Sequence, residues 1–236
     1  MQHGDGVAAH GQAQQVDDGP AEGSAPGNVL TAPLVRTDAH TPVSRTWTGT
    51  PVPADYTDMV DELRELLDRV AAAAASAEVV ADTTKLVAQL NARLAEYEVD
   101  EPDRFAGRLL TAPGRAQLAV PPLHVDDIDD ERVTGRVRFG AHFLGSNGVV
   151  HGGAIPMLFD DVLGRLALVG GRSRSRTAYL HADYRSVAPI DAELRVAAWF
   201  EREEGRKRLV RGTLHDGDRL CAEVHALFVA LEPGQQ

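Results

Sequence analysis

The sequence predicts an α+β fold: an antiparallel sheet wrapped around one central helix, preceded by a helical extension and a disordered N-terminus. Three observations carry this reading. One apolar stretch, Ala154 to Val169, keeps helical spacing through Ile155, Leu158, Phe159, Val162, Leu166 and Val169. Strand-like runs lie on both sides of it, and four follow it in succession, separated by turn signals such as Asp216-Gly217. No helical pattern interrupts those four runs, so they connect as hairpins and not by the crossovers of a parallel sheet.

Taken in order, residues 1–55 are rich in Gly, Ala, Pro, Asp and Gln without hydrophobic periodicity, and read as a disordered tail. Residues 56–98 form a helical extension. Neither Gly nor Pro occurs from Tyr56 to Tyr97, and Val60, Leu63, Leu67, Val70, then Val79, Leu86, Leu90 and Leu94 follow helical spacing. With the helix-forming run Ala71 to Ala75, this is one long helix or two with a bend near Ser76. Residues 105–232 form the main domain. Arg115 to Val120 and Arg132 to Phe139 read as its first strands, the second alternating Val133, Gly135, Val137 and Phe139 against polar neighbours. After the helix, which Gly170-Gly171 ends, come Thr177 to Val187, Ala192 to Glu203, Lys207 to His215 and Arg219 to Leu231.

The central helix also carries the chemistry. Pro156 belongs only in a first turn, which sets the helix start near Gly152 or Gly153. The face away from the large residues holds Gly153, Met157, Asp160, Gly164 and Ala167. Gly153 and Asp160 therefore share one face, about 10 Å apart along the axis. A carboxylate in a helix of core residues is costly unless paired. The glycine pair exposes backbone N–H groups at the positive end of the helix dipole, where a developing negative charge is stabilised. A base thus faces an oxyanion site. Asp161, about 100° around the helix, reads as the more solvated or structural partner.

The run Asn147-Gly148-Val149-Val150-His151-Gly152-Gly153, the acid nine residues after the histidine, and the strand Thr177-Ala178-Tyr179-Leu180-His181-Ala182-Asp183-Tyr184-Arg185 resemble the hotdog-fold acyl-CoA thioesterases. The phenylacetate-degradation and thioesterase-superfamily branch is the most similar. The resemblance covers roughly residues 114 to 231. It implies that Gly152 N–H polarises a thioester carbonyl, that Asp160 acts as general base or nucleophile, that Thr177 orients water, and that His151 assists at the carbonyl or holds the turn. Where many members place Asn or Gln six residues before the histidine, this chain has Gly145, and Asn147 is the nearest amide. The resemblance further implies a homodimer or dimer of dimers with active sites at the interface.

Arg172, Arg174 and Arg176 follow the helix in a loop, where guanidinium groups suit the phosphates of coenzyme A. Gly153 and Met157 complete the expected substrate face. His142, His181, His215 and His225 show no metal-ligand spacing, so no metal is expected, and no cofactor beyond the coenzyme A of the substrate. The formal net charge of −11 argues against a general nucleic-acid binder. The single cysteine, Cys221, excludes an internal disulfide framework. No apolar run approaches membrane-spanning length, and a cytoplasmic location is expected. No nucleophile-elbow or phosphate-loop motif occurs. Two other readings stay open: a non-catalytic acyl-CoA-binding regulator, and a hotdog hydratase, whose usual acid–histidine pair five residues apart is missing from the helix.

Overall fold

The computed structural model describes residues 51–235, and the expected disordered tail lies, up to residue 50, outside them. The helical extension is two helices, α1 (Tyr56–Ala72) and α2 (Ala77–Ala95). The break falls at the alanine run, where Ala73 takes extended backbone. Ser76 then caps α2, its hydroxyl accepting from Val79 N at 3.4 Å. Propensity alone favours a continuous helix here; docking of α1 and a capping serine decide against it. Val60 of α1 is buried with Ala112 and Ala116, and the Arg64 guanidinium donates to the carbonyls of Pro113 and Gln117 at 2.9 and 3.0 Å. One turn on, Asp68 accepts from the backbone N–H of His142 at 2.9 Å and meets its ring Nδ1 at 2.5 Å. No residue of α2 is buried.

The strand expected at Arg115 to Val120 is not there. Gly114, Arg115 and Ala116 have φ of 54°, 54° and 57°, left-handed values that no strand accommodates. The segment is instead a tight 3₁₀ turn, Pro113–Ala116, folded over the Arg64 side chain. The first strand is β1 (His124–Ile128), which pairs with β2 (Arg132–Arg138). A short ribbon of β3 (Leu144–Ser146) and β4 (Val149–Val150) leads into the central helix, α3 (Ala154–Leu166). Four strands complete the fold: β5 (Ser175–Tyr184), β6 (Glu193–Glu204), β7 (Lys207–Asp216) and β8 (Arg219–Ala230). They join β1 and β2 in one antiparallel sheet of order β1-β2-β6-β7-β8-β5. After α3 the chain therefore enters the far edge, and among the described residues β5 is paired on one side only.

Alternation along the strands sends one face to α3. Val133, Val137, Leu194, Val196, Val210, Leu214, Val224 and Phe228 are buried with Leu158, Phe159, Val162, Leu163 and Leu166 of the helix. Each such side chain contributes about 1.5–3 kcal/mol on burial. The other face is charged, with Arg211 on Glu201 at 2.8 Å and Arg185 on Glu223. The described residues belong to one compact unit, and among them no helix is long and apolar enough to cross a membrane.

How closely the helix approaches the sheet is set at Gly212 of β7. A Cβ there would stand 2.5 Å from the fully buried ring of Phe159. Gly212→Ala is expected to cost about 1–3 kcal/mol through overpacking, read as a lower urea midpoint with an unchanged denaturant slope; a midpoint within error of wild type would contradict this packing.

Candidate active site

The glycine pair meets α3 as the sequence predicts. Gly153 is the N-cap, α3 begins at Ala154, and Pro156 sits in the first turn. His151 holds this junction together. Its backbone N–H donates to Phe143 O at 2.7 Å, and its carbonyl accepts from Ala154 N at 2.9 Å. Its ring Nδ1 accepts from Gly153 N–H at 3.0 Å, which requires Nδ1 to be unprotonated. So one of the two glycine amides is shielded after all, and the expectation that both stand open is corrected. The N–H of Gly152 has no partner among the described residues, while its carbonyl accepts from the Tyr184 hydroxyl at 2.6 Å.

The two adjacent carboxylates part company. Asp160 is exposed and accepts from the Thr177 hydroxyl at 2.8 Å. Asp161 is buried, only 2% exposed, which decides for the structural reading of it against the solvated one. Arg165, one turn on, donates through Nε to Asp161 Oδ2 at 2.9 Å, and Arg115 approaches Oδ1 at 2.5 Å as an ion pair without hydrogen-bond alignment. Arg165 also donates to Leu110 O at 2.6 Å. The left-handed turn at Gly114 to Ala116, which displaced the expected strand, is what brings Arg115 to the helix. A buried acid here is structural, held by two guanidiniums.

Thr177 reaches Asp160 through an irregularity of β5. Leu180, Ala182 and Tyr184 pair with Ala226, Val224 and Ala222, whose side chains are buried on the helix side. Strict alternation from Leu180 turns residue 177 to the outer face. The register shifts between Thr177 and Tyr179, and the extra residue, Ala178, sets Thr177 opposite Phe228 on the helix side instead. The bulge thereby aims the hydroxyl at the helix. The β3–β4 ribbon closes the other end. Asn147 and Gly148 form its turn with φ of 50° and 73°, the Asn-Gly hairpin pattern. At Gly145 a Cβ would lie 3.0 Å from His151 Cα, so the ribbon's close approach leaves no room for a larger residue without opening it.

Residues 147–223 match the family model of the Thioesterase superfamily. They include the ribbon turn, the glycine pair, Asp160, Thr177 and Tyr184. This segment is similar to the Thioesterase superfamily. The acyl-coenzyme A thioesterase THEM4 of Rattus norvegicus is 33% identical over 106 residues, 44% of this chain and 45% of that protein, and its Mus musculus counterpart matches to the same extent. The chain thus spans about half the length of the curated relatives it matches. The crystal structure of RHA08564, a thioesterase superfamily protein, superposes with a TM-score of 0.66 at 23% identity, covering 77% of this chain and 94% of that one. That likeness establishes the hotdog architecture.

The three arginines that follow α3 differ in their availability. Arg172 is not free for a phosphate. It donates to Glu203 at 2.9 Å, to Asp130 O at 2.6 Å and to Val169 O at 3.2 Å, pairs with Glu131 at 3.1 Å, and lies 4.0 Å over the Phe200 ring. Its hydrogen bond holds the Glu203 carboxyl below the ordinary carboxylate range. Arg174 and Arg176 are exposed, and the register opposite Val229 turns Arg176 to the outer face. Arg208 of β7 is buried and donates to Ala167 O and Ser173 O at 2.8 and 2.7 Å, closing the C-terminus of α3. Met157 and Gly153 lie exposed on the Asp160 face. Tyr184 is the site residue that sequence reasoning passed over, although it stands in the strand motif quoted for the resemblance. A cleft of about 800 Å³ between α1 and β2 includes no residue of α3 or β5, and has no part in this site.

The two carboxylates are expected to separate in stability. Asp161→Asn leaves two guanidiniums facing a neutral amide, and a loss of about 3 kcal/mol in chemical unfolding is expected. Asp160→Asn should stay within about 1 kcal/mol of wild type. Equal losses from the two variants would contradict the assignment.

Proposed function

We propose that this chain hydrolyses acyl-CoA thioesters, with Asp160 as the general base. The Thr177–Asp160 hydrogen bond on the open face of α3, with the Gly152 N–H at the N-terminus of the same helix unpartnered among the described residues, carries the reading. The thioesterase-superfamily match and the acyl-coenzyme A thioesterase relatives support the substrate class. In this mechanism the thioester carbonyl oxygen accepts from Gly152 N–H. A water held by Thr177 attacks the carbonyl carbon and gives its proton to Asp160. The tetrahedral oxyanion is stabilised at the helix N-terminus. It collapses with cleavage of the carbon–sulfur bond, and coenzyme A leaves as a thiolate whose low basicity makes little demand on an acid. His151 fixes the glycine turn, and Tyr184 fixes the Gly152 peptide by holding its carbonyl.

Met157, one turn before Asp160 on the same exposed face, lines the acyl chain. With Arg172 spent on its carboxylates and Arg176 turned to the outer face of β5, Arg174 is the loop cation left for the coenzyme A phosphates. Asp160 lies in the open and β5 has a free edge, so a second copy paired along β5 would wall the site and cover the edge. The absence of a side-chain amide at Gly145 favours one second reading, an acyl-CoA-binding regulator without turnover.

Thiol release from acyl-CoAs tests the proposal. Wild type should release coenzyme A, Asp160→Asn should be slower by on the order of 10²-fold or more, and Thr177→Val by about 10-fold, all with native circular dichroism. Undiminished hydrolysis by Asp160→Asn contradicts the proposal. Tight acyl-CoA binding without release by wild type moves the chain to the regulator reading.

A further inference from the structure

On the outer face of the sheet, away from Asp160, the register assembles a group that sequence spacing conceals. His181 of β5 stands directly opposite His225 of β8. Asp183, two residues after His181, shares its face. We propose that His181, His225 and Asp183 bind one divalent transition-metal ion of the zinc class, which fastens the edge strand β5 to β8.

The geometry is close to that of a ligand set. One ligand atom from each of the three residues lies within 4.8 Å of the others. A tetrahedral zinc ion with bonds of about 2.0–2.2 Å separates its ligand atoms by about 3.4 Å. Asp183 Oδ1 is 3.3 Å from His181 Nε2, and Asp183 Oδ2 is 3.6 Å from His225 Nε2. Each imidazole thus stands at ligand spacing from a different oxygen of the same carboxylate. The imidazole rings stand edge to face, 5.1 Å between centroids, and small rotations of these partly exposed side chains bring one ligand atom from each onto a common ion. Two imidazoles and a carboxylate suit Zn²⁺, Co²⁺, Ni²⁺ and Cu²⁺, not the hard cations Mg²⁺ and Ca²⁺.

The surroundings permit a cation. Arg211, across the sheet from His225, is held by Glu201 at 2.8 Å, and Arg185 by Glu223, so both nearby guanidiniums are balanced by carboxylates other than Asp183. Arg185 also comes within 3.7 Å of Asp183, and is the charge a bound ion would turn fully toward Glu223. The sheet separates this group from the Thr177 hydroxyl on the helix side, so the proposal does not depend on thioester hydrolysis. Its effect is mechanical: β5, which carries Thr177 and Tyr184, gains a second attachment to β8.

Zinc titration of the full, untagged and EDTA-treated chain at about pH 7.5, where imidazole is neutral, tests the site. Calorimetry should give one Zn²⁺ per chain. His181→Asn, His225→Asn and Asp183→Asn should each weaken binding about tenfold or more, the double histidine variant should abolish it, and His215→Asn, on β7, should bind as wild type does. Zn²⁺ should raise the thermal midpoint of wild type and not that of the double variant. Absence of stoichiometric binding by wild type, or unchanged affinity in the double variant with native circular dichroism, overturns the proposal.

Discussion

The rotation of α3 about its own axis is the constraint on which the site depends. Successive helical residues lie about 100° apart, so on this largely buried helix the two neighbouring aspartates meet different surroundings. Burying Asp161 between Arg115 and Arg165 holds one side of the helix, and Phe159 seated on Gly212 holds another. Asp160 is then left on the open flank beside β5. An unpaired buried carboxylate is far more costly than a solvated one, so the ion pair makes the opposite rotation inaccessible. The position of the proposed general base follows from where its neighbour must go.

The arginines extend the same logic to both ends of the helix. Arg64 organises the turn that carries Arg115, so α1 and α3 are linked through a short chain of charge-assisted contacts. At the C-terminus, Arg208 takes the carbonyls that the helix leaves open, and Arg172 anchors the loop that follows it. These guanidiniums are bound by the fold, which leaves few loop cations for a substrate. At the N-terminus the glycine pair keeps one amide open among the described residues, and the side chains of His151, just after β4, and of Tyr184 in β5 fix the turn around it.

Much of this was legible in the sequence because it rests on periodicity. Helix α3 and the last four strands come directly from spacing, although α3 stops at Leu166, before the glycine pair expected to end it, and Ser76 marks the break between α1 and α2. What was not legible depends on contacts between distant segments. Arg115 to Val120 alternates plausibly, but Arg64 and Asp161 recruit it into a left-handed turn. Strand β1, His-Val-Asp-Asp-Ile, is too charged to announce itself and exists because β2 offers an edge. Spacing placed both aspartates on the helix but did not say which had a buried guanidinium waiting. Arg172 looked like a phosphate ligand only while Glu203 and Glu131 were out of view. The facing of His181 and His225 belongs to register, and 43 intervening residues hide it.

The central claim is that Asp160 and Thr177 act as one unit on the water that attacks the thioester. A double-mutant cycle in kcat/KM for acyl-CoA hydrolysis tests it, using Asp160→Asn, Thr177→Val and the double variant. Groups acting as a unit are strongly non-additive, so the double variant should be about as slow as Asp160→Asn alone. A double variant slower by the product of the two single effects would mean that the residues act independently, and would contradict the account.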